Sequence, residues 1–274
     1  MTIIDGVFLG IVQGLTEFLP ISSSGHLVLF QDLLGLKEPA LLLDCALHLG
    51  TLVSILAYFR SDIAGMFSET WDFSKGIING QKGLTEINDC PRAALTLWVV
   101  IGIIPTALIG LFFRGPIEML FGSTSLVSMA LVITGFVVGV TRLVPEDYGK
   151  KKRVGLIPSL LIGTAQGLAL IPGISRSGTT IVCGLLLGMD RELAARFSFL
   201  LAIPAIVGAL GLQLRVGGLG NEDVHVLIIG FVTSALTGLL ALKVLISVIR
   251  RGRLYYFAPY CWALGLGVLL MKIV

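Results

Sequence analysis

Apolar residues run through this chain in blocks of about twenty, the length that carries an α-helix across a hydrocarbon core of ~30 Å. Six such blocks stand at 40–59, 93–113, 124–142, 194–213, 225–246 and 255–273. Two other regions, 3–35 and 156–188, break the pattern. Each is an apolar run, an interruption of Pro, Ser and Gly, and a second apolar run. Neither run of a pair is long enough to span comfortably, so each region is predicted to be a re-entrant hairpin of two half-helices. Non-helical backbone at membrane depth survives only inside protein or beside a wet cavity. The predicted fold is an all-α integral membrane protein, each half holding one re-entrant hairpin and three transmembrane helices.

The two interruptions are versions of each other. Gln13 to His26 reads QGLTEFLPISSSGH, and Gln166 to Thr179 reads QGLALIPGISRSGT. Seven of the fourteen positions are identical without a gap. A second pair, GIIPTALIGL at 102–111 and GFVTSALTGL at 230–239, repeats the relation. An odd number of spans per half inserts the second half upside down, which predicts an inverted-topology repeat of residues 1–153 and 154–274. Residues 60–92 read as a long polar loop, the main soluble insertion. Broken helices at matching places in two halves point to a binding site near the bilayer midplane.

Composition supports a membrane solvent. The chain of 274 residues is 55% hydrophobic and 14% charged, with mean hydropathy +0.94; globular chains carry about 25% charged residues. The N-terminal MTIIDGVFLG has no basic region and no small-residue cleavage site, so no signal peptide is expected. Cys45, Cys90, Cys183 and Cys261 lack metal or redox spacing and read as free thiols. No basic domain with an aromatic platform is present, which argues against nucleic acid as a partner. Among the twenty Lys and Arg, Lys37, Arg114, Arg215 and Lys272 fall on one predicted face. The rest, Arg176 aside, gather on the other. The positive-inside rule makes the rich face cytoplasmic and puts both termini outside. The first hairpin then enters from outside and the second from the cytoplasm, with tips meeting near the middle.

The chemistry concentrates at those tips. Gln13 and Glu17 are four apart and share a helix face. A carboxylate inside a membrane is costly and marks function, and a carboxylate beside an amide oxygen suits Mg²⁺ or Ca²⁺. Glu17 also has a structural alternative, an ion pair with Arg176. The tip hydroxyls and backbone N–H groups of Ser22, Ser24, Gly25, Ser175, Ser177, Gly178, Thr179 and Thr180 can cradle phosphate oxygens. A serine of the first tip near His26, or a water, could attack phosphorus, with His26 handling the proton; Ser22 and Ser24 recur in the second tip, which favours a binding or structural role for them. Arg176 offers a fork that matches phosphate. Asp44 and His48, also four apart, offer a second ligand pair, a proton relay or a purely structural hydrogen bond.

At these residues the chain resembles the undecaprenyl-diphosphate phosphatase family of the bacitracin-resistance type. The likeness covers essentially the whole length. It rests on Gln13 to Glu17 as a (Glu/Gln)-x-x-x-Glu motif, on Ser22 to His26, and on Pro172 to Thr180 as Pro-Gly-x-Ser-Arg-Ser-x-x-Thr. The resemblance implies hydrolysis of undecaprenyl diphosphate to undecaprenyl phosphate and phosphate, recycling a lipid carrier for cell-wall synthesis and conferring bacitracin resistance. It implies a divalent cation, Mg²⁺ or Ca²⁺, an active site open to the outer side of the bacterial inner membrane, and catalytic roles for Glu17, His26, Arg176 and Ser23, the last as the candidate nucleophile. Position 13 is Gln where many members carry Glu. That removes one anionic metal ligand and makes Asp44, where members tend to carry an acid, a further candidate beside Glu17 and Gln13. The expected partners are a polyprenyl diphosphate lipid and the bilayer, with a homodimer left open. The rival class is a polyprenyl-phosphate transporter or flippase, since inverted repeats with broken helices also serve transport. Confinement of Glu17, Ser23 and His26 to one half favours the enzyme.

Overall fold

The computed structural model describes residues 2–33, 41–145, 148–216 and 223–273. Twelve α-helices are described: α1 (Ile3–Phe18), α2 (Ser23–Leu33), α3 (Leu41–Tyr58), α4 (Arg60–Ile78), α5 (Pro91–Phe112), α6 (Arg114–Phe121), α7 (Thr124–Gly139), α8 (Leu156–Leu168), α9 (Arg176–Leu186), α10 (Arg191–Val216), α11 (Val224–Arg250) and α12 (Ala258–Ile273). Several of their starts follow ordinary capping chemistry. Thr2 and Asp5 form a capping box on α1, Ser123 caps α7, and Asp223 caps α11. Each side-chain oxygen satisfies an N–H that the helix leaves open.

Five helices, α5, α7, α10, α11 and α12 with their short extensions, are long and apolar enough to cross a membrane. They coincide with five of the six predicted spans. The sixth, expected at 40–59, reaches that criterion only as the pair α3 and α4, which meet at a 72° bend. Residues 34–40, including Lys37 and the expected hairpin end and span start, lie outside the described residues, as do the side chains of Arg215 and Lys272.

The stretch expected as a polar loop from residue 60 is instead largely helical. α4 carries Arg60, Asp62, Glu69, Asp72 and Lys75, which dilute its apolar average. Yet Met66 and Phe73 are buried against the body, while Phe67 and Trp71 stay exposed. Glu69 of α4 also accepts from the Arg92 and Ala93 amides at 2.5 and 2.9 Å, capping α5 from the side. Its buried positions, Gly65, Met66, Phe73 and Gly76, share one side of the helix, and a plain hydropathy reading overlooks such a helix because the charges lower the average.

The four arms of the two broken regions are too short to span. α1 and α2 have 16 and 11 residues and α8 and α9 have 13 and 11, which at 1.5 Å per residue is roughly 16–24 Å per arm. α1 lies along α11 and α8 lies along α5. Both contacts depend on missing side chains. A Cβ at Gly10 would meet the Gly230 carbonyl at 2.8 Å, and a Cβ at Gly163 would collide with the Gly102 carbonyl. Gly102 and Gly230 open the two related decapeptides, so one contact is made twice with partners exchanged between halves. Lipid offers helices no hydrophobic gain on association, so close backbone approach and hydrogen bonds must hold them. Thr106 Oγ1 donating to the Gly163 carbonyl at 2.7 Å is such a bond. α10 runs through the interior, where Phe197, Phe199 and Leu201 are buried, and Phe18 of α1 packs edge-on to Phe199 with centroids 5.9 Å apart.

Candidate active site

The two interruptions meet inside this frame. Ser22 Oγ donates to the Ile174 carbonyl, the Gly173 N–H donates to Ser24 Oγ, and Ser177 Oγ donates to the Leu19 carbonyl, each at 3.4 Å. Each tip thus satisfies backbone or hydroxyl groups of the other, as buried irregular backbone requires. The local pattern repeats as well. The Gly25 N–H donates to Ser22 Oγ at 3.3 Å and the Gly178 N–H to Ser175 Oγ at 3.1 Å, the arrangement of a serine N-cap. Gly25 has no room for a side chain larger than hydrogen without pressing Leu131 and the Gly173 backbone, both 3.2–3.3 Å from an added Cβ.

The next residues, Ser23 and Arg176, occupy matching positions and both reach one carboxylate. Glu17 is buried on α1. Ser23 Oγ donates to Glu17 Oε2 at 2.5 Å, and the Arg176 guanidinium pairs with Oε1. Gln13, one turn earlier, donates from Nε2 to Oε2 at 3.0 Å. His48 of α3 holds Nε2 4.0 Å from Oε2, and its Nδ1 donates to the Asp44 carbonyl at 2.8 Å. Ser23 and Arg176 are the first residues of α2 and α9, so two positive helix ends converge on Glu17. That field also favours an incoming phosphate.

A cavity of about 650 Å³ opens beside this cluster. Glu17, Ser23, Ser24, Asp44, Ser175 and Arg176 all line it, and an apolar wall includes Leu27, Val28, Leu170, Ile206 and Leu210. Other expected site residues are spent on structure. Gln13 reaches the cavity only through Glu17. Ser22 and Ser177 bond across the tips, and the Gly178 N–H is held by Ser175 within its own tip. Thr179 Oγ1 donates to the Ser175 carbonyl at 2.7 Å, and Thr180 Oγ1 donates to the Arg176 carbonyl at 2.8 Å while contacting the Ser198 hydroxyl. The His26 ring makes no hydrogen bond to Ser23. Its Nδ1 donates to the Ser22 carbonyl at 2.7 Å and its Nε2 accepts from Tyr260 Oη at 2.8 Å. Asp44 Oδ1 accepts from Gln31 Nε2 at 2.8 Å on the cavity wall.

Sequence reasoning passed over Gln166, which also lines the cavity. Its Nε2 donates to Thr106 Oγ1 at 3.2 Å and to the Leu201 carbonyl at 3.4 Å. Its Oε1 is buried without a hydrogen-bond partner among the described residues, as is Gln13 Oε1. The available signal was its identity with Gln13 in the repeated stretch. A separate apolar groove of about 440 Å³ between α4, α5 and α10 has no ionisable side chain in its wall and offers no phosphate chemistry.

The donors that face the cavity are oxygens, the Glu17 and Asp44 carboxylates; Gln13, expected as a further ligand, keeps its orphaned Oε1 buried and does not line the cavity. Hard oxygen donors suit Mg²⁺ or Ca²⁺. No group of three or more His, Cys, Asp and Glu with metal-holding geometry occurs among the described residues. The set fits a cation that completes its shell with phosphate and water oxygens, as Mg²⁺ commonly does. It does not fit a fully protein-caged ion.

The family model for the bacitracin resistance protein BacA matches residues 6–267. An undecaprenyl-diphosphatase of Desulfatibacillum aliphaticivorans is 45% identical over 273 residues, 99% of each chain. One of Desulfosudis oleivorans is 47% identical over 268 residues, 96% of each. One of Methanobrevibacter smithii is 38% identical over 275 residues, covering 100% of this chain and 99% of its own.

Proposed function

The chain belongs to the bacitracin resistance protein BacA family, and from that premise we infer that it is an undecaprenyl-diphosphatase of the membrane. It hydrolyses undecaprenyl diphosphate to undecaprenyl phosphate and inorganic phosphate. The observation that carries the chemical reading is the convergence of Ser23, Arg176 and Gln13 on Glu17 at one cavity.

In this reading the diphosphate enters against Arg176 and the starts of α2 and α9, and the prenyl chain lies along the apolar wall. Arg176 exchanges part of its contact with Glu17 for the terminal phosphate. Its planar fork holds two phosphate oxygens and neutralises the charge that spreads over them in the transition state. Glu17 takes the proton of Ser23 as Ser23 Oγ forms a bond to the terminal phosphorus. The bond from phosphorus to the bridging oxygen breaks, and that oxygen leaves as part of undecaprenyl phosphate. Water then displaces Ser23 from phosphorus and releases phosphate, with Glu17 returning the proton to Ser23. Gln13 holds Glu17 in place through the 3.0 Å bond. Glu17 and Asp44, which both line the cavity, would hold a divalent cation there. When bound, it would supply charge neutralisation of diphosphate oxygens.

The architecture proposed around this site is the inverted repeat of 1–153 and 154–274. The reciprocal pairing of α1 with α11 and α8 with α5 supports it, as does the shared capping pattern of the tips. The excess of Lys and Arg on one face supports a cytoplasmic assignment for that face, with the cavity opening to the outer side.

The test is phosphate release from undecaprenyl diphosphate by the purified protein in detergent, with Mg²⁺ or Ca²⁺ and with EDTA. Release that EDTA suppresses and added cation restores is the expected result. A folded protein that releases none with cation supplied would sink the hydrolase reading, and a flipping assay in proteoliposomes would then address transport.

A further inference from the structure

We propose that Tyr260 is a positioning residue for Ser23, acting through His26 and the left-handed backbone of Ser22; this rests on the hydrolase reading above. Ser22 has φ 68°, the one positive φ at a non-glycine among the described residues. Such a conformation is strained for a residue with a Cβ and persists only where surrounding contacts enforce it. The second tip avoids it. There the matching Ser175 has φ −75°, and the positive φ falls on Gly173, where no Cβ is strained. The strain therefore sits in the half that carries Glu17 and Ser23, one residue before the proposed nucleophile. The φ of Ser22 sets the direction in which α2 starts, and hence where Ser23 Oγ points.

The enforcing contacts are specific. The Ser22 carbonyl accepts twice from residue 26, from the His26 backbone N–H at 3.2 Å and from Nδ1 at 2.7 Å. A carbonyl only accepts, so Nδ1 carries the proton and Nε2 presents a lone pair. Tyr260 Oη lies 2.8 Å from that lone pair and donates to it. The two rings stack at an interplanar angle of 4° with centroids 5.7 Å apart. The repeat provides an internal control. At the matching place Thr179 also clamps its N-cap carbonyl, through its N–H at 2.9 Å and Oγ1 at 2.7 Å. A clamp on this carbonyl is thus common to both tips, and a strained tip adds a second layer from α12. The adjacent Cys261 Sγ lies 3.6 Å from the Pro20 carbonyl, so α12 braces the first tip at two points. With both ring nitrogens engaged, His26 holds backbone while Ser23 gives its proton to Glu17.

Tyr260→Phe keeps the ring stack and removes the O–H. The expected loss is about 3- to 10-fold in kcat, the worth of one neutral hydrogen bond, with KM and the thermal midpoint in detergent unchanged. Binding groups are not touched, so a loss confined to kcat is the mark of misaligned attack. In a His26→Asn enzyme, whose shorter side chain does not reach Tyr260, adding Tyr260→Phe should cost nothing more. Unchanged kcat in Tyr260→Phe overturns the proposal. So does a loss that appears instead in KM or in the midpoint, or one that persists undiminished in His26→Asn. A wild type that releases no phosphate ends the hydrolase reading itself, whereas an active wild type with an indifferent Tyr260→Phe ends only this inference.

Discussion

Glu17→Gln is the sharpest perturbation of this site, because it keeps the side-chain shape and changes one charge. In the native arrangement Oε2 takes the Ser23 proton along a 2.5 Å hydrogen bond, and Oε1 faces Arg176. Glutamine can still accept from Ser23, but an amide is too weak a base to remove its proton. Loss of a positioned general base typically costs 10²–10⁴-fold, so we expect about 10³-fold in kcat, or roughly 4 kcal/mol of barrier. Stability should respond less. Removing one partner of a fully buried ion pair costs about 3–5 kcal/mol. The Arg176 side chain, however, is 20% exposed to the cavity, and water there can solvate the released guanidinium, so a loss of ~1–2 kcal/mol is expected. The assay is initial-rate phosphate release at saturating lipid and cation, with a fluorescence melt of the same sample. Retention of more than about a tenth of wild-type turnover would refute the assignment of Glu17 as proton acceptor. An unfolded variant would be recognised in the melt, and Glu17→Asp, which keeps the charge one methylene farther back, would then carry the test.

Arg176→Lys preserves charge and loses the planar fork, so phosphate release should fall by about 10²-fold; a fully active lysine enzyme would remove the bidentate clamp. Ser23→Ala should retain less than about a thousandth of wild-type turnover, and substantial release from it would move the attack from serine to water. Gly14 faces the Gly238 amide 2.7 Å from where its Cβ would sit. Gly14→Leu should therefore pry α1 from α11 and lower stability by about 1–3 kcal/mol in a detergent melt, and an unchanged melt would deny that the glycine contact is needed.

Much of this molecule is legible along the chain because a bilayer imposes strong rules. A helix that must bury its backbone in lipid has to be long and apolar, so five spans could be bounded from hydropathy alone. The broken regions were equally visible, because Pro, Ser and Gly at membrane depth have no cheap alternative explanation. The differences between the self-similar tips singled out Glu17, His26 and Arg176, and the family resemblance added Ser23; Glu17, Ser23 and Arg176 do meet, while His26 turns elsewhere. α4 was missed because its charges lower the local average below what a span requires, although its apolar positions follow a helical face. Gln166 was noticed as a repeat partner of Gln13 and not as part of the cavity wall, since burial and orphaned atoms have no one-dimensional signature.

The chain by itself determined that this is a membrane protein, where five of its long apolar helices lie, and that charge and hydroxyls are concentrated at two related, broken stretches. These follow from local composition, since the solvent acts on each segment separately. Only the tertiary structure decided which partners those groups take. It spent most of the tip hydroxyls on backbone, turned His26 away from Ser23 toward a tyrosine more than two hundred residues distant, and brought His48 beside Glu17. Those choices depend on how helices approach through glycine faces and on which carbonyls the broken backbone leaves to be satisfied. Both are properties of the packed whole and not of any segment of the chain.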